Sequence, residues 1–235
     1  MIQHTVQRYL EDFSSLIYPH YCAACGCALY RNEIILCVKC YIELPRTGFH
    51  KDPENEVAQL FWGRVRLCHA TSFMYFAKGS RYQKILHALK YSGQMQIGIE
   101  MGRMFGSELK DTSFSDADLI IPVPLHRKKH RKRGYNQSEL IASGMAEVLH
   151  LPVQTGLISR IDDTLSQTRK SRYERWENVG YTFRCENPEA ARNRHVLLVD
   201  DVITTGATIE ACASCLLSSG DVTVSVASLA FAKLQ

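Results

Sequence analysis

No stretch of this 235-residue chain approaches the roughly 18 consecutive apolar residues that span a bilayer, so membrane insertion is not expected. The first twenty residues carry Glu11 and Asp12 and lack a basic start followed by an apolar core, which argues against a secretory leader. An excess of one charge is also missing. With 28 Lys and Arg against 24 Asp and Glu, the net charge is +4, and any preference for polyanions has to come from local clustering. No Gly-Lys-Ser/Thr occurs, which removes the P-loop as a phosphate site, and no internal repeat or low-complexity tract is visible. These absences leave a cytoplasmic globular protein as the expectation, and the 46% hydrophobic and 22% charged residues fit it. Nine cysteines then need an explanation other than disulfides, because reducing compartments keep thiols free.

Val6, Tyr9, Leu10, Phe13, Leu16 and Ile17 recur at helical spacing, so residues 3–17 read as an amphipathic helix stopped by Pro19. A cysteine-rich segment follows at 20–45, then the polar Lys51-Asp-Pro-Glu-Asn55. A boundary near there divides the chain into an N-terminal unit, 1–60, and a larger domain, 61–235. Strands are expected at 71–77, 119–123, 195–199 and 222–229, and helices at 80–91, 95–109, 137–150 and 207–218. Alternation of apolar strands with helices argues for an α/β fold, a mostly parallel sheet covered on both faces.

The most informative segment runs from Val196 to Thr208, Val-Leu-Leu-Val-Asp-Asp-Val-Ile-Thr-Thr-Gly-Ala-Thr. Val196–Val199 shows no alternation, as suits a strand buried on both faces. Asp200 and Asp201 follow at its carboxyl end, where open α/β sheets place ligands. Adjacent carboxylates repel and are costly beside a core, so a ligand, a metal or a set of donors must compensate. Thr204, Thr205, Gly206, Ala207 and Thr208 then offer hydroxyls and close-approaching backbone N–H groups at a helix start. A capped strand–turn–helix junction accounts for one Asp and one Gly, but not for paired acids with three threonines.

Cys22-Ala-Ala-Cys25-Gly26 and Cys37-Val-Lys-Cys40 form two Cys-x-x-Cys knuckles, eleven residues apart. Four thiolates match a closed structural Zn²⁺ site, and Gly26 permits the tight bend such knuckles use. Redox pairs or unrelated core cysteines are the competing readings, but redox motifs usually open a helix in a larger sheet, whereas these lie in a short turn-rich segment with little core of its own. Cys27 can replace a neighbour or simply pack. Between the 119–123 strand and the next helix hangs a basic loop: six of the eight residues from His126 to Arg133 are Lys or Arg. It reads either as a solvated charge run or as cations and backbone donors converging ahead of a helix. Residues 160–178 have nearly balanced charge, as in a solvated loop.

The 196–208 run resembles the phosphoribosyl-pyrophosphate (PRPP) motif of type I phosphoribosyltransferases. Leu16-Ile-Tyr-Pro19 leading into Cys22-x-x-Cys25, Ile121-Pro-Val-Pro-Leu125, Arg133-Gly-Tyr-Asn-Gln137 and Gln167 narrow the resemblance to the ComF/GntX family of competence-associated proteins. It implies a type I phosphoribosyltransferase-like, Rossmann-like fold with an N-terminal four-cysteine zinc ribbon. Asp200 and Asp201 would hold the ribose hydroxyls, and Thr204 to Thr208 the 5′-phosphate. Lys90, Arg133 and Gly134 would meet the pyrophosphate, and Arg160, Thr164, Gln167, Arg172 and Asn178 would belong to a lid closing over the reacting centre. The resemblance further implies Mg²⁺ bound with PRPP, phosphoribosyl transfer to an unknown acceptor, and a role in DNA uptake and natural transformation. Single-stranded DNA and a competence helicase are its implied partners, with the surplus cations of 126–133 and Tyr135 as the DNA-tracking surface. A non-catalytic PRPP-binding or DNA-handling module is the alternative.

Overall fold

The computed structural model describes residues 19–161 and 182–233. The helix expected at 3–17 and the lid positions Thr164, Gln167, Arg172 and Asn178 lie outside the described residues.

The cysteine segment leads into a short helix α1 (Val38–Ile42) and, after a 3-10 turn at Phe49–Lys51, helix α2 (Glu56–Gln59). Asn55 caps α2 by accepting from the N–H groups of Val57 and Ala58. Strand β1 (Ala70–Tyr75), helices α3 (Gln83–Tyr91) and α4 (Met95–Leu109), and strand β2 (Leu119–Pro122) follow. Then come α5 (Arg127–Arg133), α6 (Gln137–Leu149), the short strands β3 (Ile158–Arg160) and β4 (Phe183–Cys185), β5 (Arg194–Ile203), α7 (Ala207–Leu217) and β6 (Val222–Phe231).

The main sheet has the order β1-β6-β5-β2, and every neighbouring pair is parallel. Both faces are covered, as expected. Leu197 and Val199 pack with α3, α4 and α6 on one face, while Val196 and Leu198 pack with Ile209, Cys212, Ala213 and Leu216 of α7 on the other. β5 therefore needs apolar residues at every position, which explains its unbroken Val-Leu-Leu-Val. Pro122 ends β2 at the sheet's edge, where a missing N–H interrupts no central ladder.

Helix α6 is held close to α4 by small residues. A Cβ at Gly102 would lie 2.2 Å from the Ile141 carbonyl oxygen, and one at Gly144 2.0 Å from that of Ile99. This contact fixes α6 over the sheet and sets its first turn beside β5. The cysteine segment joins the same core: Cys22, Ala24, Leu36 and Cys40 cluster with Leu86 and Leu89, and the Tyr82 hydroxyl donates to the Cys40 carbonyl at 3.2 Å.

Three sequence expectations change. The strand expected at 195–199 continues to Ile203, because β6 pairs alongside it up to Phe231. The acids thus lie inside the strand's last residues, not beyond its end. The basic loop of 126–133 is instead the helix α5, capped at its start by the His126 ring and closed by Gly134 in the left-handed region. The antiparallel β3–β4 pair was not anticipated, since three-residue strands carry no readable periodicity. Among the described residues no helix is long and apolar enough to cross a membrane.

Candidate functional site

β2 ends opposite Val199, so Asp200 to Ile203 run on past it with a strand neighbour on the β6 side alone. The helices that follow these two adjacent strands go to opposite faces, α6 with one and α7 with the other. A crevice opens at such a switch point, at the carboxyl ends of the strands. Asp200, Asp201, the 204–208 turn and the start of α6 meet there.

Asp200 is buried, and one oxygen, Oδ1, takes both of its hydrogen bonds: from Ser138 Oγ at 3.1 Å and from the Asp201 N–H at 2.8 Å. Burial, then the neighbouring Asp201 charge, pushes its carboxyl up to about 7, against the pull of those donors and of Lys90. Asp201 is partly exposed and pairs with Lys90, Nζ to Oδ2 at 2.7 Å. The two acids therefore differ in kind: one holds the scaffold and tends to keep its proton, the other carries charge at the crevice. Thr204, Thr205, Ala207 and Thr208 are all exposed, and Gly206 turns the chain into α7 with φ of 76°. The first N–H groups of an α-helix have no partner inside it, so this open turn can accept an anion.

Helices α3 and α6 reach the acids through Lys90 and Ser138, and α5 leads into α6. Lys90 stands in the last turn of α3, and the Tyr135 hydroxyl ties the same turn to the start of α6 by donating to the Leu89 carbonyl at 2.7 Å. Asn136 caps α6, accepting from the Ser138 N–H at 3.1 Å, and donates to the Val123 carbonyl at 3.0 Å. Arg133 hydrogen-bonds the Gln137 side chain and lies 5.7 Å from the centre of the exposed Tyr91 ring. Tyr135, expected as a stacking surface, is half-buried, and Tyr91 is the aromatic face open beside Arg133. Gln137 is buried, and among the described residues its Nε2 has no partner.

Lys90 and Ser138 thus meet Asp201 and Asp200, the 204–208 turn follows the acids in the chain, and Arg133 and Gly134 lie at the α5–α6 junction. Arg160 sits with its guanidinium over the Phe183 ring at 5.4 Å, and Gln167 and Arg172 lie outside the described residues. Sequence reading missed Ser138, whose role depends on a partner 62 residues away. It also missed the turn at Leu60 and Phe61, which packs under Gly206. Neither carries a local signal.

The second cluster is metal-like. One ligand atom from each of Cys22, Cys25, Cys37 and Cys40 lies within 4.8 Å of the others, and the Cys25 and Cys37 sulfurs are 3.8 Å apart. Tetrahedral zinc with bonds of about 2.3 Å sets neighbouring sulfurs about 3.8 Å apart, so the donor set fits. The Cys37 N–H points at Cys22 Sγ at 3.4 Å, and Gly26 makes the knuckle bend with φ of 79°. The Cys27 thiol lies 3.3 Å from Cys25 Sγ, and hydrogen bonding to Cys25, with smaller contributions from Cys37, pushes it up to about 12.

No family model matches the chain. It is 35% identical over 146 residues to the DNA utilization protein YhgH of Escherichia coli O157:H7, covering 60% of this chain and 63% of that one. It is 29% identical to competence protein F of Haemophilus influenzae, covering 53% and 57%, and 28% identical to competence protein ComFC of Bacillus subtilis, covering 59% and 54%. The chain thus spans about six-tenths of the length of the curated relatives it matches. Similar solved structures include the glutamine PRPP amidotransferase of B. subtilis, at 21% identity and a TM-score of 0.40 over 55% of this chain and 25% of that one. Another is the adenine phosphoribosyltransferase of Leishmania tarentolae, at 13% identity and a TM-score of 0.39 over 80% and 94%. Overlaps this loose assign no residue a role.

The described residues combine a parallel α/β sheet, a four-cysteine cluster and paired acids before an open helix start. In sequence the chain is similar to proteins named for DNA utilization and competence.

Proposed function

We propose that the chain binds PRPP with Mg²⁺ in the β5–β2 crevice, transfers the 5-phosphoribosyl group to an acceptor, and serves DNA uptake and use in the cytoplasm. The single observation behind this reading is the meeting of two carboxylates with an open, threonine-rich helix start and a lysine across the crevice. A ribose diol needs acceptors, a 5′-phosphate needs N–H donors, and a pyrophosphate needs cations. The crevice offers all three.

Asp201 and Asp200 hold the sugar hydroxyls in reacting orientation, and the 204–208 turn holds the ester phosphate. Lys90 leaves Asp201 for the pyrophosphate, and Arg133 and the Gly134 backbone stand on the same side. Breaking the bond from the anomeric carbon to pyrophosphate carries the electron pair away with that group and leaves positive charge on the sugar, which the Asp201 carboxylate stabilises. Mg²⁺ bound with PRPP adds charge neutralisation at the departing oxygens. Zinc in the four-cysteine cluster is structural, since four protein ligands leave no open position.

Calorimetric titration with PRPP tests this, with and without Mg²⁺, on wild type and on the Asp200→Asn/Asp201→Asn variant. Affinity should fall at least about ten-fold in the variant, and equal affinity removes the acidic pair from the site. Relatives named for competence and DNA utilisation favour a role with DNA, and the exposed basic helix α5 supports a second reading, a non-catalytic PRPP-sensing module that carries single-stranded DNA, next to a helicase partner. Pyrophosphate release from Mg²⁺–PRPP separates the two readings. Single-strand binding unchanged after Lys128, Lys129, Arg131 and Lys132 are made glutamine sinks the DNA surface.

A further inference from the structure

The phosphate turn is gripped from below by a side chain far away in sequence. Arg64, 141 residues before Thr205, donates through Nη1 to the Thr205 carbonyl at 2.8 Å and to the Leu60 carbonyl at 3.1 Å. Its Nε donates to Glu210 Oε2 at 3.0 Å, and Nη2 reaches the same oxygen. Leu60 and Phe61, from the same turn as Arg64, press on Gly206: a Cβ there would lie 2.8 Å from Phe61 Cε1 and 3.0 Å from Leu60 Cδ2. One short turn thus supplies both an apolar seat and a polar clamp for residues 205–210.

The clamp has a directional consequence. A trans peptide is planar, so the Thr205 carbonyl and the Gly206 N–H point in opposite directions. With the carbonyl held on Arg64, the Gly206 N–H faces away from the guanidinium, and among the described residues it donates to no acceptor. Glu210 adds a second need. It stands in the first turn of α7, where a carboxylate favours the helix but repels an incoming phosphate. The Arg64 pair cancels that charge.

We propose that Arg64 is the positioning residue of the phosphate turn, aiming the Gly206 N–H at a bound phosphate monoester and neutralising Glu210 beneath it. This rests on the PRPP reading of the 204–208 turn. The experiment uses the full chain with two probes, ribose 5-phosphate for the turn and Mg²⁺–pyrophosphate for the Lys90–Arg133 side. Arg64→Met should weaken ribose 5-phosphate about ten-fold, the size of one hydrogen bond to a charged group, and leave pyrophosphate within about two-fold. Arg64→Lys, which keeps one donor, should recover part of the loss. In ¹⁵N-resolved spectra the Gly206 amide should shift on adding ribose 5-phosphate to wild type, and much less in Arg64→Met.

Wild type that binds neither probe overturns the PRPP reading and this proposal with it. If wild type binds ribose 5-phosphate and Arg64→Met binds it equally well, the positioning role alone is overturned. Equal loss of both probes also overturns it, since that marks a general loss of structure. Full recovery in Arg64→Met/Glu210→Gln would leave only charge cancellation and refute the aimed N–H.

Discussion

Replacing Asp200 by asparagine should stabilise the protein above neutral pH while weakening its ligand. In the folded chain Asp200 holds its proton up to about 7, against an ordinary value of 3.8. An unfolded chain releases that proton near 4, so folding takes up a proton at every pH between. Stability contributed by the protonated group is complete below about 4 and is lost as pH rises to about 7. A shift of roughly three units at about 1.4 kcal/mol each bounds the loss at about 4 kcal/mol. Lys90 and Asp201 readjust around the charge, so about 2 kcal/mol is the expected gain for the variant at pH 8. Asparagine keeps a carbonyl oxygen that accepts from Ser138 and from the Asp201 N–H, so neither of those donors is orphaned. For a chain of this size the gain raises the melting temperature by about 4–8 °C. Thermal unfolding followed by circular dichroism at pH 5, 6, 7 and 8 reads it directly. The wild-type curve should fall across this range and the variant curve should fall less. A variant less stable at pH 8, or two curves falling in parallel, refutes the account of Asp200 as a strained, buried acid.

Lys90→Met removes the cation that faces both acids, so it should destabilise more at pH 8 than at pH 5.5 in chemical denaturation, and a loss independent of pH would contradict the pairing with Asp201. Gly206→Ala meets both a left-handed backbone and the Phe61 ring, and should cost about 1–3 kcal/mol in the same assay; a neutral result would show that the turn relaxes freely. Purified protein should carry one zinc per chain by elemental analysis, and Cys25→Ser or Cys40→Ser should release it, whereas Cys27→Ser should retain it. Gly144→Ala should lower stability by at least about 2 kcal/mol, because its new methyl group would run into the Ile99 carbonyl and force α4 and α6 apart.

Much of this protein could be read along the chain. Val196–Val199, without alternation, announces a central strand, and helix α4 runs over the 95–109 expected from spacing alone. The two Cys-x-x-Cys knuckles declare a four-sulfur cluster because each holds its own pair within one turn. These are local patterns, set by strand and helix periods and by short loops. Where β5 stops was not local, since β6 pairs on to Phe231 and draws the acids into the strand. Helix α5 was hidden because a run of like charges looks the same in a loop and in a short exposed helix. The different characters of Asp200 and Asp201 are invisible in two adjacent identical letters. Packing of α6 across Gly102 and Gly144 brings Ser138 to one of them, and the end of α3 brings Lys90 to the other. Arg64 under Thr205 is the extreme case. Chemistry carried by neighbours in the chain is written in the sequence, whereas the charge state and aim of those groups depend on burial and on distant partners, which exist only after the sheet and its helices have closed.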